Sequence, residues 1–224
     1  MQRIVIGAAI LSCLGAKVAE AQRMPRLFAG AVAGVSTLSA DARSEITASG
    51  AEASLYKPEN GPALNVVLGM DVREYVTVQA NYIWNRNHLA LGSVRATDRG
   101  PSFYEQPLTG SQHAIVGDLL VYFRERRSLV RPYLSVGAGA VRIETRADGQ
   151  ARGRDAVPPT TTVRATRATV RVAVGLDLAL GRGWRARYSF SESVSGNPIG
   201  AQLSPPGMRG LANFQNLFGV VRGL

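Results

Sequence analysis

Cysteine, histidine and lysine are scarce in this sequence: one cysteine, Cys13, two histidines, His88 and His113, and two lysines, Lys17 and Lys57. The single cysteine excludes a disulfide-stapled domain. Two separated histidines provide no metal-ligand cluster of recognisable spacing, and they leave a serine nucleophile short of a base to take its proton. Beyond the N-terminus no apolar run approaches the ~20 residues that a membrane helix needs. If the chain crosses a bilayer, it does so as strands.

The N-terminus has the form of a secretory leader. Arg3 precedes an apolar run over residues 4–16, and Ala19-Glu20-Ala21 is a small-x-small cleavage site. The expectation is a signal peptide over residues 1–21 and one domain over 22–224. Its removal takes away Arg3, Lys17 and Glu20, so the formal charge of +10 becomes +9. Arginine supplies nearly all of that excess.

The most regular stretch runs from Val170 to Leu180. Val170, Val172, Val174, Leu176, Leu178 and Leu180 fall on one face, and Arg171, Ala173, Gly175, Asp177 and Ala179 on the other. Alternation of this kind marks a β-strand. Its second face is small, with two opposite charges, unlike the Lys, Glu and Thr of a wetted sheet. An inside-out sheet fits it, apolar towards lipid and polar towards its own lumen.

Seven further strands follow from the same period, over residues 26–38, 63–72, 75–86, 112–124, 132–145, 184–193 and 211–224. Residues 39–62, 87–111, 146–166 and 196–210, rich in Gly, Pro and charge, read as long loops. Connections 73–74, 125–131 and 181–183 are short. Tyr82 and Trp84 end one apolar face, where an aromatic belt would sit. Long and short connections alternate, as in an up-and-down barrel with periplasmic turns and outer loops.

In these features, and in the strand Asn213-Phe214-Gln215-Asn216-Leu217-Phe218-Gly219-Val220-Val221-Arg222-Gly223-Leu224, the chain resembles the small outer-membrane β-barrel proteins of OmpA and OmpX type. The resemblance implies an all-β fold, an eight-stranded antiparallel up-and-down transmembrane β-barrel with short periplasmic turns and four long outer loops, in the cell outer membrane. It implies outer-membrane lipid and lipopolysaccharide as surroundings, and recognition of the C-terminal strand by the barrel assembly machinery. That family usually ends in an aromatic residue; here Leu224 ends the chain and Arg222 interrupts the apolar face.

Eight strands enclose a lumen that side chains just fill. Asp71, Asp118, Arg171, Asp177, Arg185 and Arg187 are the expected polar network of that lumen, paired with one another because a buried lone charge is costly. Structural or surface-interaction work, without catalysis, cofactor or metal, is the expected role. Some small outer-membrane barrels modify lipid A, which directs attention to Ser189, Ser191, Glu192 and Ser193. His88 and His113 lie elsewhere, and the deacylase-type histidine two residues before its serine is replaced by serine. Nucleic acid is not an expected partner. Arg95, Arg99, Arg146, Arg152, Arg154 and Arg164 on outer loops could meet lipid or polysaccharide phosphates. The alternative fold is a secreted, lipocalin-like barrel holding an apolar ligand, with the aliphatic face of residues 170–180 turned inward.

Overall fold

The computed structural model describes residues 26–47, 50–154, 162–200, 203 and 205–224. The expected signal peptide lies outside the described residues.

Eight strands close into a ring: β1 (Arg26–Leu38), β4 (Gly61–Asp71), β5 (Val76–Arg95), β6 (Ser102–Tyr122), β7 (Val130–Ala147), β9 (Arg164–Gly181), β10 (Trp184–Gly196) and β11 (Gly210–Gly223). Each is antiparallel to both neighbours, and β1 joins β11 to shut the seam. Following paired residues once round the ring leads from Phe28 through Gly69, Gln79, Asp118, Gly137, Arg171, Ser193 and Asn213 to Leu38. The path returns ten residues further along β1. That shear, with eight strands, sets a tilt of roughly 40° and a bore only wide enough for side chains.

The aliphatic face points out. Val170, Val172 and Val174 are 58%, 52% and 50% exposed, whereas Arg171 and Asp177 are 2% and 1% exposed. The lipocalin-like alternative needs the reverse and is set aside. At the β9–β10 turn Arg182 (φ 51°) and Gly183 (φ 82°) are both left-handed, the geometry that matches strand twist in a two-residue hairpin.

Three expectations about loops are corrected. Residues 39–62 contain a hairpin of β2 (Asp41–Thr47) and β3 (Gly50–Pro58), and β3 extends the sheet along the outer half of β5. Most of 87–111 is strand, since β5 and β6 stay paired out to Arg95 and Ser102. Residues 146–166 contain β8 (Arg152–Arg154), paired with β6, and the start of β9.

For the long β5–β6 pair the physical reason is a change of phase. Along β5 the apolar residues Val78, Ala80, Tyr82 and Trp84 face out, while Thr77, Gln79, Asn81 and Asn85 face in. Beyond Arg86 the order reverses: Leu89 and Leu91 are buried, and Arg86 and His88 take the outer face. The wall is inside-out where it meets hydrocarbon and ordinary where it meets water.

Candidate functional site

The lumen is filled at three levels. At the periplasmic end Arg187 of β10 and Asp177 of β9 stand directly opposite in register. Arg187 donates from Nε to Asp177 Oδ1 (2.7 Å) and from Nη2 to Oδ2 (2.8 Å), a two-pronged charge-assisted pair. Tyr122 of β6 donates its hydroxyl to Asp177 Oδ2 (2.8 Å), and Arg187 Nη1 reaches Gln79 Oε1 on β5 (2.9 Å). A second pair, Arg171 Nη1 with Asp118 Oδ2, spans β9 and β6 beside it, and Gln79 Nε2 also donates to Asp118 (3.5 Å). Gly137 sits between these two in register, and a Cβ there would collide with the Asp118 carboxylate. The ring of Tyr133 lies over Gly175 directly opposite, and that of Phe28 over Gly69.

Above these ions comes an amide layer. Asn65 Nδ2 donates to Asn81 Oδ1 (3.1 Å), as does Gln79 Nε2 (2.9 Å). Higher still, Asn213 Nδ2 donates to Gln112 Oε1 (3.0 Å) and Ser36 Oγ to Asn213 Oδ1 (2.9 Å). A cavity of about 20 Å³ at this level, beside Ile83, Asn85 and Thr169, has room for one water. The outer mouth is apolar. Tyr56, Leu89, Leu91, Leu108, Ile143 and Leu211 form a buried cluster, capped by Ile199 and Leu203 of the β10–β11 connection. Asn197 shapes that cap, its Oδ1 accepting from the backbone N–H of Ile199 and Gly200 (3.0 Å each).

Of the six residues expected in the network, four form the two pairs just described. Arg185 reaches Asp177 only at 4.0 Å and is partly exposed. Asp71 departs from expectation: it accepts from Thr77 Oγ1 (2.6 Å) and faces Arg126 Nε at 3.6 Å, in the β6–β7 turn. Arg126 also donates to the Arg73 carbonyl (2.6 Å), and buried Arg131 donates to the Glu74 carbonyl (3.2 Å) with its guanidinium 3.7 Å above the Tyr122 ring. These two arginines clasp the periplasmic turns together. In the sequence both fall in the short connection 125–131; Arg131 shares a face with Tyr133 and Ser135, and extending the strand back by that period finds it.

The residues weighed for hydrolysis are not brought together. Ser189 and Ser191 are buried in the lumen, while Glu192 lies on the opposite face of β10. His88 and His113 lie on the outer wall of β5 and β6. His113 Nδ1 meets the Tyr82 hydroxyl (2.8 Å), and His88 Nδ1 meets Asp148 Oδ2 (2.8 Å). Thr109 Oγ1 also donates to Asp148 Oδ2 (2.8 Å) and lies 3.3 Å from the same His88 nitrogen. A relay needs the acid and the nucleophile on different ring nitrogens. The hydrogen bonds from Thr109 and His88 hold the Asp148 carboxyl below its ordinary range.

Among the described residues no three His, Cys, Asp or Glu side chains gather as a metal site.

The profile of the family described as outer membrane protein beta-barrel domain matches residues 6–204. The chain belongs to this family. Among solved structures, the outer-membrane-protein barrel chain resembles OprG from Pseudomonas aeruginosa with a TM-score of 0.54 and 8% identity, over 89% of this chain and 95% of that one. It is similar to Neisserial surface protein A with a TM-score of 0.49 and 13% identity, over 88% and 97% of the two chains. For Ail of Yersinia pestis the figures are 0.43 and 10%, over 90% and 100%. No curated protein matches this barrel in sequence. The likeness to OprG is one of fold. The family and the inside-out wall place this barrel in the outer membrane.

Proposed function

We propose that this barrel neither conducts solutes nor catalyses a reaction, and acts through its outward surface, where arginines engage lipopolysaccharide phosphates. The observation that supports the first part is the packing of the lumen by ions, amides and an apolar cap in succession. A bore filled in this way holds no water column for ions to follow.

The second part rests on the wall above the aromatic girdle. Beyond Tyr82 and Trp84, the outward faces of β5, β7 and β9 present Arg86, Arg142, Arg146 and Arg164. Glu144 pairs with Arg142 (2.7 Å) and Arg164 (3.2 Å), leaving the row in cationic excess at headgroup height. Of the six loop arginines singled out in the sequence, Arg146 and Arg164 belong to this row. Arg95 pairs with Glu52, Arg152 and Arg154 stand on β8, and Arg99 lies in the connection 96–101. Recognition of β11 by the barrel assembly machinery belongs to the same proposal, supported by the outward row Phe214, Phe218 and Val220.

Planar-bilayer recording tests the first part: no unitary current is expected at 100 mV, and stable steps would overturn it. For the second, Arg86, Arg142 and Arg164 changed together to Gln should weaken retention of lipopolysaccharide on purified barrel. Unchanged retention would contradict it.

A further inference from the structure

The lipid-facing wall of β10 and β11 has a polar break. Glu192 stands on the outward face of β10 between Phe190 and Val194, each 42% exposed. Opposite it in register are Val172 on β9 and Phe214 on β11. Asn216 stands on the outward face of β11 between Phe214 and Phe218, opposite Phe190 on β10 and Val35 on β1. Each polar group is therefore ringed by side chains that meet hydrocarbon. Neither has a hydrogen-bond or ion-pair partner among the described residues.

The two are diagonal neighbours on adjacent strands, since Glu192 pairs with Phe214 and Asn216 with Phe190. Diagonal neighbours in an antiparallel sheet lie about 7–8 Å apart. They also stand at nearly one depth in the wall.

We propose that this patch is the interface between two copies of the chain, related by a two-fold axis along the bilayer normal. Such an interface must be complementary to itself, and this one carries both halves of a hydrogen bond. The Asn216 amide supplies donors and the Glu192 carboxylate supplies acceptors. A two-fold axis passing between them exchanges left and right without changing depth. Asn216 of each copy then faces Glu192 of the other, and two reciprocal bonds form where no water competes. Phe190, Phe214 and Phe218 close around them and exclude lipid. In the isolated barrel the same groups meet acyl chains with no partner, which disfavours that state.

The test uses the barrel labelled on a cysteine introduced by Asp98→Cys in an exposed outer turn. Energy transfer between copies is followed in vesicles as the protein-to-lipid ratio falls. The wild-type barrel should associate, and Glu192→Leu or Asn216→Leu should weaken association at least tenfold. The exchange variant, Glu192→Asn with Asn216→Glu, should restore it, because the reciprocal pair is rebuilt with its ends swapped. Slower gel migration after boiling confirms that each variant is folded. A wild-type barrel that stays monomeric at every ratio overturns the proposal. So do leucine variants that associate as the wild type does, or a folded exchange variant that fails to associate; the last two outcomes would assign the polar pair to lipid or to an unrelated partner.

Discussion

Replacing Asp177 by Ala removes the acceptor of both prongs of Arg187, and its carboxylate has only 1% of the residue exposed around it. The guanidinium stays in place, 3% exposed, with Gln79 and the Tyr122 hydroxyl for company and Arg185 near by. Breaking a buried pair by removing one partner costs about 3–5 kcal/mol, because the surviving charge has no counterion. At 25 °C this lowers the folding equilibrium constant by roughly two to three and a half orders of magnitude. The double variant Asp177→Leu with Arg187→Met removes both charges and keeps the volume. It should lie within about 1–2 kcal/mol of the wild type, since apolar replacement of a buried pair is often neutral. Urea titration of barrel folded in phospholipid vesicles, followed by Trp84 and Trp184 fluorescence and checked by gel migration, measures both. The reasoning fails if the single variant costs less than about 1 kcal/mol, or if the double variant is less stable than the single one.

Gly175→Ala drives a methyl group into the Tyr133 ring, so it should cost about 1–3 kcal/mol in the same titration. The Tyr56 hydroxyl is buried with no partner among the described residues, and burial pushes its ionisation above the ordinary phenol range. Tyr56→Phe should therefore hold or raise stability by about 1 kcal/mol. It should also lessen the loss of stability above about pH 10, because a raised acid contributes stability below its unfolded value and loses it as pH rises. Asp148 has the opposite sign: its depressed carboxyl favours the folded connection at neutral pH and stops doing so as pH falls through its folded value. Its carboxyl NMR shift should titrate below the ordinary value of about 3.9, and Thr109→Val should move the midpoint upward.

How much of this was legible depended on which solvent each stretch faces. From 170 to 180 one phase holds throughout, so strand, lipid face and lumen ions all follow from the residues. Between Trp84 and Leu91 the apolar side changes from outward to inward. A reader following one phase loses the signal there and records a loop, so the outer halves of β5 and β6 read as connection. The pairing of Asp177 with Arg187 follows from a short hairpin, which fixes register. Asp71 found Arg126 because the turn after β6 folds back over the lumen, and no period encodes that. Gln79 and Asn81 alternate with Val78 and Ala80, and Tyr122 shares the period of Asp118, which puts all three on the inward face; that they knit the ions together depends on a shear of ten, a property of ring closure.

The central claim is the orientation of the wall. Spin labels placed one at a time from 170 to 178 on β9, in barrel reconstituted in phospholipid, report collisions with dissolved oxygen in lipid or with a water-soluble nickel chelate. The account predicts high oxygen and low nickel collision at 170, 172, 174, 176 and 178, and low collision with both at 171, 173, 175 and 177. The opposite alternation, or nickel access at the valine positions, would contradict it.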